Sequence, residues 1–466
     1  MQEVECRKIL IKNVDLVRDK VYPMMDIRIQ GEKIKEIIRG SEPEPGEQVI
    51  DGTGCMAIPG GVDVHTHLDM PCGDIYTSDD YYSGTLAAVA GGTTTIMDFP
   101  EPERKEELQN ALERWMKKAK GNSFCDYGFH MTVPDCSERT EKEIENMIRQ
   151  GVGTFKAYTA YKDSLGLEDR ELYCLMELIG KKKGLLMIHC ENGDIIDQRR
   201  KELAREAPED MMNHPRSRPD LTEHEAVSRV LDMARLTGAH VYIVHVSTKK
   251  ALEEIEKAKK EGVAVYCETC PQYLFLTEDK YRLPGKEAMG YICSPPLRKK
   301  ADVTALWEGI KNGTVDTIAT DHCSFYLKGQ KEKGIHDFRL VPGGVPGIEN
   351  RLELIYSMAV LHENNMTFEK AAWLTAENPA RIMGLYPKKG ILKAGSDADI
   401  VLLRTGEKRV ITAEDQYQKT DYTPYEGMTV YCRIHKVFRR GELLFEDREK
   451  KCKDPLGNYI FTEWSE

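Results

Sequence analysis

The chain has 466 residues, 41% of them hydrophobic and 31% charged, with a formal net charge of -11. That length buries a large core in more than one domain, the negative balance excludes a nucleic-acid partner, and no apolar stretch is long enough to span a membrane. Thirteen cysteines, an odd number with no export signal ahead of them, point to reduced thiols and a cytoplasmic protein.

Residues 8–11, 25–29 and 34–38 are short β-like runs between Gly, Asp and Pro turns, which predicts a small β unit at the start. From residue 57 the texture changes. Apolar β-forming runs at 57–64, 93–99, 127–133, 154–159, 185–190, 240–246, 263–269 and 317–320 alternate with amphipathic segments. These segments fall at 105–119, 141–149, 170–183, 223–236, 249–261 and 303–311. Eight such strands predict a (β/α)8 barrel, whose buried parallel strands read as apolar runs; a doubly wound sheet is the alternative. β texture returns at 390–393, 398–403, 428–434 and 440–444. Because it brackets the barrel, the expected fold is an α/β protein with a (β/α)8 TIM barrel at 57–385. A β-sandwich would be built from 1–56 and 386–446, followed by a C-terminal tail at 447–466. The tail is polar and aromatic without periodicity, so it is either an arm on a neighbouring subunit or loosely ordered.

In such a barrel, chemistry sits where the strands end. The first strand closes on Val64-His65-Thr66-His67, and side chains at i and i+2 of a strand share a face, so both imidazoles aim at one point. The other strand ends carry Lys156, His189, His245 and Asp321. Each histidine alone is explained as a hydrogen-bonded core residue, and Asp321 as a helix cap. Lys156, in Phe155-Lys156-Ala157, is harder to dismiss, since a lysine inside an apolar strand is paired or chemically altered. Together the donors exceed one tetrahedral zinc and suit two metals with a bridge. Desolvation lowers the pKa of a buried lysine, and the neutral amine adds carbon dioxide to become a carbamate with one oxygen for each metal. His65, His67 and Asp321 would then hold one metal, His189 and His245 the other, with carboxylated Lys156 between. The Cys267-Glu268-Thr269-Cys270 run reads as strand and turn rather than a redox pair.

Six segments carry a resemblance: Gly60-Gly61-Val62-Asp63-Val64-His65-Thr66-His67-Leu68-Asp69-Met70-Pro71, Gly91-Gly92-Thr93-Thr94-Thr95, Phe155-Lys156-Ala157-Tyr158, Glu268-Thr269-Cys270-Pro271-Gln272-Tyr273-Leu274, Ser294-Pro295-Pro296-Leu297-Arg298 and Ala319-Thr320-Asp321-His322. In order and spacing they resemble the hydantoinase and dihydropyrimidinase branch of the amidohydrolase superfamily, over nearly the whole chain except the tail. The resemblance implies a dizinc centre with carboxylated lysine and a bridging hydroxide, with cobalt or manganese as substitutes for zinc. It also implies a homotetramer, or else a homodimer. The implied substrate is a small cyclic amide or imide, a 5-substituted hydantoin or a dihydropyrimidine, opened to an N-carbamoyl amino acid. Asp321 would shuttle the proton, Tyr161 would hydrogen-bond the reacting carbonyl, and Ser294 and Gly343 would border the ring. Gly343 is a departure, because relatives commonly carry Asn there. His322 is read as structural. Among rivals, dihydroorotase binds an acidic ring, which Asp69 would repel; allantoinase and a non-catalytic scaffold protein remain as alternatives.

Overall fold

The computed structural model describes residues 7–462. Eight parallel strands form the barrel: Gly61–Thr66, Thr93–Asp98, a third in two pieces (Asp126–Phe129 and Met131–Thr132), Thr154–Tyr158, Leu185–His189, His240–Ile243, Val265–Thr269 and Thr317–Ile318. They are buried along almost their whole length, as strands covered on both faces must be. Helices pack outside. In Leu108–Ala119 the buried residues are Leu108, Ala111, Leu112, Trp115 and Ala119, one stripe at helical spacing turned to the barrel.

The third strand is interrupted at His130, whose ring reaches Thr154 Oγ1 at 2.5 Å and the Val64 carbonyl at 3.0 Å across the barrel interior. Closure between the last and first strands rests on few ladder bonds. Thr66 bridges His322, and the Thr320 hydroxyl donates to Asp63 at 2.7 Å. Beneath them the buried Arg351 guanidinium donates to the carbonyls of Val62 and Ile318, each at 3.1 Å, and to Thr93 Oγ1 at 3.0 Å. One side chain thus ties the first, second and eighth strands.

The second unit is a nine-stranded mixed sheet that joins both ends of the chain. Lys8–Val17, Val21–Gln30 and Lys33–Ile38 lie on one side of Cys55–Pro59, and Ile400–Val410, Thr429–Arg439 and Glu442–Glu446 on the other. Ile9, Ile11, Ile27, Ile29, Ile400, Leu402 and Phe438 form its core. The expected run at 57–64 is in fact divided between the two units: Cys55–Pro59 pairs with Ile400–Val410, whereas Gly61–Thr66 pairs with Thr93–Asp98. Pro59 has no N–H to continue a ladder, and Gly60 passes so close to Thr94 that a Cβ would sit 2.3 Å from its hydroxyl. Residues 390–393, expected as a strand, form none; Leu392 there plugs the small sheet's core.

A buried ion cluster fastens the units together. Lys389 Nζ lies 2.6 Å from Asp126 of the third barrel strand, 2.9 Å from Asp397 and 2.8 Å from Asp399. Arg440 also pairs with Asp126. Lys389→Met would leave buried carboxylates short of a cation, and the expected loss is about 3–5 kcal/mol of stability, read as a shift of the urea midpoint. A shift under about 1 kcal/mol would show that Arg440 alone holds the joint.

The described part of the tail packs on its own chain. Ser123 O accepts from Gly457 N at 2.7 Å, and Tyr127 N–H and C=O bond to Asn458 O (2.9 Å) and Ile460 N (2.8 Å), so residues 457–462 run along the chain's own barrel. Ile460 is buried there.

Candidate active site

Nine side chains or backbone positions singled out by the sequence, His65, His67, Lys156, Tyr161, His189, His245, Ser294, Asp321 and Gly343, line one cavity of about 750 Å³ at the carboxyl ends of the barrel strands. His65 lies inside its strand and His67 just beyond; Lys156 and His189 are on the fourth and fifth strands, and His245 and Asp321 follow the sixth and eighth. The i, i+2 alternation puts His65 Nε2 and His67 Nε2 at 3.2 and 3.3 Å from the same oxygen, Asp321 Oδ1. Opposite them, His189 Nδ1 is 2.9 Å from His245 Nε2. His65, His245 and Asp321 each offer a ligand atom within 4.8 Å of one another, so the two groups of donors share one space.

Electrostatics keep most of these donors in the ligating form. Burial pushes the pKa values of His65, His189 and His245 down, leaving neutral imidazoles with a lone pair to give. Burial opposes the charged form of His67 most strongly, but its hydrogen bond with Asp321 and the charges of Asp321, Glu101 and Asp98 together outweigh that and raise its pKa. Lys156 is 1% exposed, and desolvation lowers its amine to about 8. It forms no ion pair among the described residues; its amine sits 5.0 Å from the centre of the Phe99 ring and 5.1 Å from that of Tyr158. A lysine so placed gives up its proton far more readily than a paired one, so a fraction of it is a nucleophilic neutral amine near neutral pH.

The groups that hold the donors are ones the sequence reading passed over. Glu268, on the seventh strand, accepts from His65 Nδ1 at 2.6 Å, from the His245 N–H at 2.9 Å and from the Tyr242 hydroxyl at 2.7 Å. With Nδ1–H given to that carboxylate, Nε2 of His65 carries the lone pair that faces the cavity. Glu191 does the same for His189, 3.0 Å from Nε2, and is itself paired with Arg218. Glu268 gave the same signal as Lys156, a charge inside an apolar strand. His322 turns away: Nδ1 accepts from Gly347 N at 3.1 Å and Nε2 lies 3.2 Å from Asp79.

Asp69 corrects the charge argument made from the sequence. It does not line the cavity; its carboxylate lies 3.6 Å from Lys118 Nζ and its carbonyl accepts from the same amine. Its charge therefore does not face the ring. Tyr161, on the loop after the fourth strand, and Ser294 line the same cavity, and a Cβ at Gly343 would lie 3.2 Å from Ser294 Oγ.

Imidazoles, a carboxylate and an uncompensated lysine, gathered where barrel strands end, define a hydrolase built to work with metal ions. Relatives narrow the class. Residues 56–444 match the model of the amidohydrolase family. A D-hydantoinase of Geobacillus stearothermophilus is 40% identical over 452 residues, 97% of this chain and 96% of that protein. The solved D-hydantoinase from a Bacillus sp. AR9 superposes with a TM-score of 0.96 at 37% identity, covering 98% of this chain and 100% of that one. The dihydropyrimidinase from Brevibacillus agri NCHU1002 gives 0.95 at 36%, covering 98% of each. The chain belongs to the amidohydrolase family, in its hydantoinase and dihydropyrimidinase branch.

Proposed function

We propose that this hydrolase of cyclic amides opens 5-substituted hydantoins or dihydropyrimidines to N-carbamoyl amino acids, using two zinc ions and a carboxylated Lys156. His65, His67 and Asp321 would hold one ion and His189 and His245 the other, with the Lys156 carbamate spanning both. The observation that carries this is Lys156 itself, buried with no ion pair among the described residues in the cavity that the imidazoles and Asp321 line. When bound, the metals acidify water toward neutrality and polarise the substrate carbonyl.

The chain's own residues do the rest. Asp321 accepts the proton of the attacking water and hands it to the leaving ring nitrogen. The ordinary pKa of a phenol lies well above neutrality, so Tyr161 stays protonated and donates to the carbonyl oxygen as negative charge grows there. Ser294 and the backbone at Gly343 border the ring. Met70, Pro71, Cys72 and Leu165 line the same cavity, and its volume leaves space for a substituent beyond a five-membered ring. A homotetramer in the cytoplasm completes the reading; the family resemblance supports the assembly, and the free thiols of Cys55, Cys125, Cys190, Cys267, Cys270 and Cys293 suit a reducing compartment.

The deciding experiment compares rates on dihydrouracil, hydantoin, 5-phenylhydantoin, allantoin and dihydroorotate, before and after a chelator. Turnover of at least one of the first three is expected, abolished by metal removal and restored by zinc, cobalt or manganese. Turnover confined to allantoin or dihydroorotate would overturn the substrate class.

A further inference from the structure

One buried cation behind the cavity has no part in the chemistry above. Lys331 is 0% exposed, and its amine donates to the carbonyls of Ile292 and Pro342, each at 3.0 Å. Ile292 lies two residues before Ser294, and Pro342 directly precedes Gly343. The same Ile292 carbonyl also accepts from Gly344 N at 3.0 Å, so the two segments meet at one point.

The surroundings of Lys331 contrast with those of the other deeply buried lysines. Lys389 sits among three carboxylates, and Lys156 faces the donors of the active site. Lys331 forms no ion pair among the described residues; the centre of the Phe325 ring, 6.0 Å away, is its aromatic neighbour. Burial pushes its amine down to about 7. In the neutral form it keeps two N–H bonds, as many as the carbonyls it meets. A methionine would be far cheaper to bury and would leave both carbonyls short of a donor. A costly group kept at the crossing of two loops is the pattern of a site whose geometry has to be held.

We propose that Lys331 is a positioning residue that clamps the 292–294 and 342–344 segments together and so sets the edge against which the substrate ring lies. The clamp acts on backbone, so it works on the amide part of the ring, which every substrate shares, and leaves the exocyclic substituent untouched. This rests on the reading of Ser294 and Gly343 as neighbours of the ring.

The test uses zinc-loaded Lys331→Met and Lys331→Gln enzymes, with KM and kcat measured on hydantoin, dihydrouracil and 5-phenylhydantoin alongside metal content and thermal midpoint. Lys331→Met is expected to raise KM about tenfold, by the same factor on each substrate that the wild type turns over, with kcat and metal content near wild type. Lys331→Gln, whose amide still donates two hydrogen bonds, should recover part of that loss. An unchanged KM in a folded Met variant overturns the proposal, as does a factor that varies with the substituent or a loss confined to kcat. Failure of both variants to fold would assign Lys331 to maintenance of the fold and overturn it too. A wild type inactive on all three substrates would instead overturn the functional reading on which the clamp rests.

Discussion

Lys156→Ala is expected to lose about 10³-fold or more in kcat/KM, equivalent to about 4 kcal/mol or more of transition-state stabilisation. Lys156 is the one member of the donor set whose ordinary form is wrong for ligation. An ammonium there would repel the metals that the four imidazoles and Asp321 are arranged to hold. The amine's depressed pKa lets it be carboxylated, which converts the misplaced cation into a bridging anion. Alanine removes the bridge and leaves the imidazoles in place, so metal content should fall toward one equivalent while the fold persists. A short carboxylic acid such as acetate or propionate fits the space left behind and should restore part of the rate. Lys156→Met, close in volume, serves as the control for packing: it should fold as wild type and be inactive, with less room for rescue. Turnover close to wild type in either variant would remove the bridging lysine from the mechanism.

The candidate donors could be picked out in the sequence because they fall together at strand ends, with one of them breaking a local rule outright. A lysine inside Phe155-Lys156-Ala157 has no apolar explanation, and His65 and His67 share a face by alternation alone. The barrel was legible because doubly covered strands have no polar face to hide the run. What the sequence does not show is how the chain turns at the strand ends, where the backbone leaves the regular periods. Tyr161, His245 and Asp321 all adopt positive φ, at 58°, 40° and 52°. Those values re-aim the chain at the strand ends in a way that no alternation rule forecasts. Tyr161, Ser294 and Gly343 sit on loops and came only through the family resemblance. The run at 57–64 looked continuous because hydropathy does not register that Pro59 and Gly60 carry the chain from one sheet to another. Asp69 shows the opposite error. It stands where dihydroorotases carry an arginine that binds their acidic substrate, which made it look like part of the cavity, whereas its backbone, at φ 49°, turns it toward Lys118.

That backbone geometry also makes Asp321→Asn a clean probe of proton transfer. Asn tolerates the left-handed region better than almost any other non-glycine residue, so the substitution keeps the conformation at φ 52°. It also keeps an oxygen for His65 and His67 to face and for a metal to contact. What it loses is the capacity to accept the proton of the attacking water and return it to the ring nitrogen. The expected outcome is a kcat lower by about 10²–10⁴-fold, the usual worth of a positioned acid–base group, with KM within about threefold of wild type. Metal content should stay near wild type, which separates lost proton transfer from lost ligation. If kcat falls less than tenfold, another group carries the proton. The half-buried Glu101, which lines the same cavity, would then be the next residue to substitute. If the metal is lost along with the rate, Asp321 acts chiefly as a ligand, and the proton-shuttle role assigned to it falls.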